Sequence, residues 1–253
     1  MLTSQVGAYI LYDAAHVAGL IAGEHFQAPL DEGAHIMTTS TYKSYGGPPG
    51  GLCLTNDPNI ASRIDKVAYP GLTANVGNNR TASLVVATMD LLLYGKDYAA
   101  MCIANAQKLA QELHKLGCPV QMRSDKHCGK SGALFTMSHL VALPAWKLKC
   151  VALDPAPEAE IDPGLIAAQR LEQAGILASG IGLPVEETNP AVGLAGLRLG
   201  VQEITRWGMT PRHMAVLANF IHQTLNGNET PELIKQHVVE FRKRFDHLSF
   251  VQE

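Results

Sequence analysis

A run of four strand-forming residues, Tyr9-Ile10-Leu11-Tyr12, closes abruptly on Asp13. An unbroken apolar run this short is the pattern of a strand covered on both faces, as in a parallel sheet flanked by helices. Two further candidate strands follow, Ala34–Thr39 and Gly51–Thr55. The first gap holds small residues from Val17 to Ala22 that suit a short helix. The second holds Gly46-Gly47-Pro48-Pro49-Gly50, which reads as a tight loop.

From Thr81 the texture turns helical. Thr81–Leu93 is one segment, Gly95 an interruption, and Asp97–Leu116 a second segment. In the second, Ile103, Ala106, Leu109, Ala110, Leu113 and Leu116 share a face, and Gly117 suits a C-terminal cap. Beyond Gly117 the pattern is α+β. Strands are expected at Val120–Arg123, Leu134–Leu140 and Ala195–Val201, and a helix at Leu165–Ala174 ended by Gly175. Thr210-Pro211 and Thr230-Pro231 each open a helix with a cap and a first-turn proline, running to Leu225 and Phe245. Asp154–Pro163 reads as a surface loop.

Composition narrows the classes of function. The 253 residues are 47% hydrophobic with a net charge of −3, which excludes a disordered chain. Basic and acidic residues are nearly balanced and unclustered, so no nucleic-acid partner is implied. No apolar stretch is long enough for a membrane span, and Met1-Leu2-Thr3-Ser4-Gln5 does not begin a secretory signal. The five cysteines are scattered and odd in number, so a reducing, cytoplasmic setting is expected. His16, His25 and His35 form no HExxH pair and no cysteine–histidine cluster occurs, so no metal site is expected.

Asp13 and His16 follow the first strand, where open α/β sheets bind ligands. Taken alone, Asp13 reads as a helix cap with His16 packed against it. Lys43 follows the hydroxyl run Thr38-Thr39-Ser40-Thr41 and Tyr42, and precedes the glycine-rich loop. Taken alone, it reads as a solvated lysine. Together, two strand ends would present a carboxylate and an amine at one sheet edge. That pairing suits pyridoxal phosphate: the amine binds its aldehyde and the carboxylate pairs with its protonated ring nitrogen. Arg198, inside the apolar pattern Leu197-Arg198-Leu199-Gly200, suits a bidentate carboxylate contact or a structural salt bridge.

Tyr12-Asp13-Ala14-Ala15-His16-Val17-Ala18-Gly19-Leu20-Ile21-Ala22-Gly23 resembles the aspartate segment of serine hydroxymethyltransferases. Thr38–Lys43 with Gly46–Leu52 resembles their cofactor-lysine segment, and Tyr69-Pro70-Gly71-Leu72 the turn that follows. Leu197-Arg198-Leu199-Gly200, with Thr205, Arg206, Gly208 and Met209, resembles their C-terminal arginine segment.

The resemblance implies a fold-type-I PLP-dependent transferase, aspartate-aminotransferase-like. Residues 1–95 would be part of the large-domain sheet, and 96–253 a small C-terminal α+β domain. It also implies roles. Lys43 would hold PLP, Asp13 pair with the pyridine nitrogen, and His16 lie beside the ring. Ser40 and Tyr42 would sit at the cofactor, and Arg198 would clamp the substrate carboxylate. The family reaction interconverts serine and glycine, with tetrahydrofolate as co-substrate in one-carbon metabolism. A small amino acid would be the substrate and a homodimer or higher homo-oligomer the assembly.

Several residues depart from the family pattern. Tyr42 replaces a histidine, Pro49 stands where many members have arginine, and Thr73-Ala74-Asn75 replaces Gln-Gly-Gly. Gly200-Val201-Gln202-Glu203 replaces Gly-Thr-Pro-Ala. An α-substituted serine as substrate, a threonine-type aldolase or transaldolase, and a non-catalytic fragment therefore stay open. Family members carry a long portion before the aspartate strand that supplies most of the phosphate and folate sites. The chain by itself is thus expected to bind PLP weakly, to lack folate-dependent serine cleavage and to self-associate.

Overall fold

The computed structural model describes residues 6–75, 77–122, 135–152, 162–183, 193–227 and 229–252. They fall into two compact units: one takes the chain up to Ala100 together with the residues from Phe250, the other Met101–Ser249.

The first unit opens with β1 (Leu11–Asp13), α1 (Ala18–Ala22), β2 (Ile36–Ser40) and β3 (Gly51–Leu54). The sheet order is β1-β2-β3, with β1 parallel and β3 antiparallel to β2. The short return through Gly46–Gly50 dictates the antiparallel direction, since a parallel crossover needs a dozen residues or more. The expected burial on both faces is not found: Leu11 is 59% and Leu54 38% exposed. With three strands in this sheet among the described residues, β1 and β3 are both edges. Helix α2 (Pro58–Lys66), absent from the sequence reading, is started by Asp57, whose carboxylate accepts from the amides of Asn59 and Ile60.

The long helix α3 runs unbroken from Asn78 to Lys115. Gly95 does not interrupt it. A Cβ placed on Gly23, at the end of α1, would lie 2.3 Å from the Gly95 carbonyl oxygen, so these glycines mark a close crossing of backbones. After Ser249 the chain returns to the first unit. Phe250 packs on Tyr98 with ring centroids 5.8 Å apart, and the Gln252 amide donates to the buried Asp90 carboxylate at 2.9 Å.

In the second unit, β4 (Leu140–Pro144), β5 (Ser179–Ile181) and β6 (Gly196–Gly200) form an antiparallel sheet in the order β4-β6-β5. The strand expected at Leu134–Leu140 lies further along, because Thr136–Ser138 is spent on a turn in which the Thr136 hydroxyl accepts from the Ser138 amide; residue 134 lies outside the described residues. Val120–Met122 is no strand, although the Gln121 amide donates to the Ala142 carbonyl beside β4. Arg123 and most of the expected loop Asp154–Pro163 also lie outside the described residues.

Helices α4 (Lys149–Ala152), α5 (Pro163–Gln173), α6 (Gln202–Arg206), α7 (Met214–Asn226) and α8 (Pro231–Arg242) complete the unit. Gly117 and Gly175 take positive φ just beyond α3 and α5, as C-terminal caps require. Leu109 and Leu113 of α3 join Leu143, Leu197, Met214 and Ile221 in a dry core, each at most 1% exposed. The fully buried Asn105 crosses it with donations to Thr205 Oγ1 and the Met209 carbonyl, both at 2.9 Å. No helix among the described residues is long and apolar enough to cross a membrane.

Candidate active site

The parallel register pairs Asp13 with Thr38, so the carboxyl ends of β1 and β2 meet at one edge of the sheet. Beyond this edge the two chain segments are stitched together. The Ala14 amide donates to the Thr38 carbonyl at 2.7 Å. In return, the Thr39 and Ser40 hydroxyls donate to the carbonyls of Ala14 (3.3 Å) and Ala15 (2.8 Å). Thr39, Ser40 and Thr41 are buried, and the first two tie the strand ends to each other.

Lys43 and His16 come together here: Lys43 Nζ stands 3.4 Å from His16 Nε2. Asp13 is exposed, and its Oδ1 accepts from the Ala15 amide at 2.9 Å, which fixes the carboxylate over the turn leading to His16. Tyr42 is 54% exposed, its ring centroid 5.8 Å from Lys43 Nζ, at the outer reach of a cation–π contact. Burial, and then the Glu32 carboxylate, push the Tyr12 phenol above its ordinary pKa, and its hydroxyl donates to Gln27.

The loop after Lys43 is folded tightly. The Gly47 amide donates to the Thr41 carbonyl at 2.7 Å, and the Thr41 amide to the Gly50 carbonyl at 3.0 Å. A Cβ on Gly50 would come within 3.1 Å of the Arg80 guanidinium and 3.3 Å of Thr41 Oγ1.

Two residues that the sequence reading passed over complete the arrangement. The Ser44 hydroxyl donates to the His16 carbonyl at 2.6 Å and accepts from the Gly19 amide at 3.1 Å. The Tyr98 hydroxyl donates to the Ser44 carbonyl at 3.2 Å. Ser44 is legible as a continuation of the hydroxyl run past Lys43; Tyr98, on α3, carries no local signal.

Arg198 belongs to the second unit. It lies at the middle of β6, between the buried Leu197 and Leu199, and its Nε donates to Ser179 Oγ on β5 at 3.2 Å. Strand alternation turns it away from the leucine-lined face. Elsewhere in this unit, burial pushes the Cys118 thiol up to about 11, despite a hydrogen bond from Asn226, and leaves it a poor nucleophile.

A primary amine beside an imidazole, with a carboxylate at the end of the adjoining strand, is a donor set that fits an aldehyde-bearing pyridine cofactor. The amine suits the aldehyde, and the carboxylate suits a protonated ring nitrogen.

The family model for serine hydroxymethyltransferase matches residues 1–129. An alpha-methylserine aldolase of Ralstonia sp is 41% identical over 251 residues, covering 99% of this chain and 52% of the relative. A serine hydroxymethyltransferase of Archaeoglobus fulgidus is 34% identical over 249 residues, covering 98% and 52%. The structure of L-threonine transaldolase from Pseudomonas fluorescens in its internal aldimine state superposes with a TM-score of 0.79 at 28% identity, over 96% of this chain and 51% of that one. The chain spans about half the length of the curated relatives it matches.

Proposed function

The chain belongs to the serine hydroxymethyltransferase family and has its α/β, fold-type-I architecture, and on that premise we propose that it acts in PLP-dependent cleavage of the Cα–Cβ bond of a serine-type amino acid. The observation that carries this reading is the 3.4 Å approach of Lys43 Nζ to His16 Nε2 at the joint carboxyl edge of β1 and β2.

When bound, PLP supplies an electron sink for the pair left at Cα when that bond breaks. The chain's own residues do the holding. The Lys43 amine would hold the cofactor through its aldehyde. The Asp13 carboxylate keeps the proton on the pyridine nitrogen. The His16 ring would orient Lys43 and flank the cofactor, with Ser40 and Tyr42 also contributing to the cofactor site. Arg198, in the second unit, would bind a carboxylate through its planar fork.

The substrate we favour is an α-substituted serine, cleaved without folate. Supporting it are several relatives named alpha-methylserine aldolase at 41% identity. Transfer of the one-carbon unit to tetrahydrofolate is the second reading, supported by relatives named serine hydroxymethyltransferase at 34–37%. The proposal includes a homo-oligomer. The helical stripe Val85, Val86, Met89, Leu92 and Leu93 on α3, each at least 45% exposed, supports it.

The test is formaldehyde release by the PLP-loaded protein. Folate-free release from α-methylserine is the expected result. Conversion of serine to glycine that requires tetrahydrofolate, with the one-carbon unit captured on the folate, would select the second reading. Cleavage of neither substrate, in a protein that carries the cofactor, would sink the proposal.

A further inference from the structure

We propose that Ser44 is the positioning residue of this site: its buried hydroxyl locks the lysine loop onto the histidine turn and so sets Lys43 against His16. The inference rests on the reading that Lys43 is the cofactor amine.

Ser44 is 0% exposed, and its hydroxyl is used both as donor and as acceptor, to His16 and from Gly19. Those partners lie 28 and 25 residues earlier in the chain, so the lock is tertiary and not a local turn. A third tie comes from the Tyr98 hydroxyl, which donates to the Ser44 carbonyl. The fit allows no slack. A Cβ on Gly19 would lie 2.1 Å from the Ser44 carbonyl oxygen, so only glycine lets the α1 backbone approach this closely. Ser44 follows Lys43 directly, and its hydroxyl grips the carbonyl of His16 itself. The two residues whose side chains meet at 3.4 Å are thus joined through their backbones by one hydroxyl. Removing it takes away the acceptor of the buried Gly19 amide and a donor to the His16 carbonyl, which favours opening of the joint.

The test uses the whole chain and three variants, Ser44→Ala, Ser44→Thr and Tyr98→Phe. Amide hydrogen exchange is read at Gly19, with Thr39 in β2 as the control. Lys43 reactivity is read twice by peptide mapping: by reductive methylation with formaldehyde and cyanoborohydride, relative to Lys66, and by capture of pyridoxal phosphate fixed with borohydride.

In Ser44→Ala, Gly19 exchange and Lys43 methylation should each rise about tenfold, and pyridoxal phosphate capture should fall about tenfold, with Thr39 exchange unchanged. Ser44→Thr, which keeps the hydroxyl, should stay within about threefold of the parent, and Tyr98→Phe should fall between the two. Unchanged methylation and capture at Lys43 in Ser44→Ala and Tyr98→Phe would overturn the proposal, whatever Gly19 does. So would loss of Thr39 protection in both variants, which marks Ser44 as a general fold residue. Should wild-type protein capture the cofactor on another lysine, the functional reading fails, while methylation still decides whether Ser44 sets Lys43.

Discussion

In the sheet β1-β2-β3, Leu11 is 59% and Leu54 38% exposed; in the sheet β4-β6-β5, Leu143 and Leu197 are at 0%. Both sheets have three strands, yet the second unit buries the apolar side chains of its sheet against α3, α5 and α7, whereas the buried positions in the sheet of the first unit, Thr39 and Ser40, carry hydroxyls. Burying a leucine fully stabilises by about 1.5–3 kcal/mol, so the second unit holds much of the hydrophobic free energy. Thr39, Ser40, Thr41 and Ser44 of the first unit add little of that kind. Their hydrogen bonds hold two strand ends, and with them Asp13, His16 and Lys43, in a fixed arrangement. One region stabilises by burial and the other orients reactive groups.

The sharpest test of that division is Lys43→Ala. It should abolish the borohydride-fixed pyridoxyl label while leaving unfolding by urea within about 0.5 kcal/mol of the parent. Next in size, Leu197→Ala should cost about 2–5 kcal/mol, whereas Leu11→Ala should stay within about 0.5. Both tryptophans, Trp146 and Trp207, lie in the second unit, so their fluorescence reports its unfolding, and circular dichroism at low urea follows the first. A Leu11 variant as damaging as the Leu197 variant would erase the contrast.

Two glycines sharpen it further. A Cβ on Gly164 would meet the Gly196 carbonyl at 2.1 Å, as one on Gly19 would meet Ser44. Gly164→Ala should weaken tryptophan-reported stability by about 1–3 kcal/mol. Gly19→Ala should spare that signal and lower pyridoxyl labelling.

The smallest effect expected is with pH. Burial, and then the Arg212 charge, hold His213 below its ordinary value of 6.5. Its Nδ1 accepts from the Thr210 amide, and its ring packs edge-on to Phe245, so the native state prefers it neutral. The unfolded chain then binds more protons just below 6.5. The stabilisation is full above that pH and is lost as pH falls through it toward the depressed native value. Urea titrations by tryptophan fluorescence should show this decline, and His213→Gln should flatten it.

What the sequence disclosed divides along the same line. Asp13, His16 and Lys43 were legible because they stand at strand ends, where chain direction alone brings them to one edge. The starts at Thr210-Pro211 and Thr230-Pro231 were legible because capping is local. Asp57-Pro58 carries the same kind of local start for α2 and went unread. Gly95 was misread, since its meaning depends on Gly23, which is distant in sequence. The short strand β5 depends on pairing with β6, and Tyr98 on Ser44; neither partner is written beside it. Exposure of β1 was illegible for a further reason: an apolar run states what a strand prefers, and not what covers it.

The return of Phe250 onto Tyr98, and of Gln252 onto Asp90, makes the second unit a closed ring of about 150 residues in polymer language. The entropy of closing a ring grows only with the logarithm of its length, so doubling the ring costs about 0.6 kcal/mol. Loops within 101–249 can therefore lengthen or shorten with little effect on the hold of Tyr98 and Asp90 on the returning tail. Length variation is cheap in the unit that carries the core, and it leaves almost untouched the tail's anchorage on Tyr98, the residue that also holds Ser44.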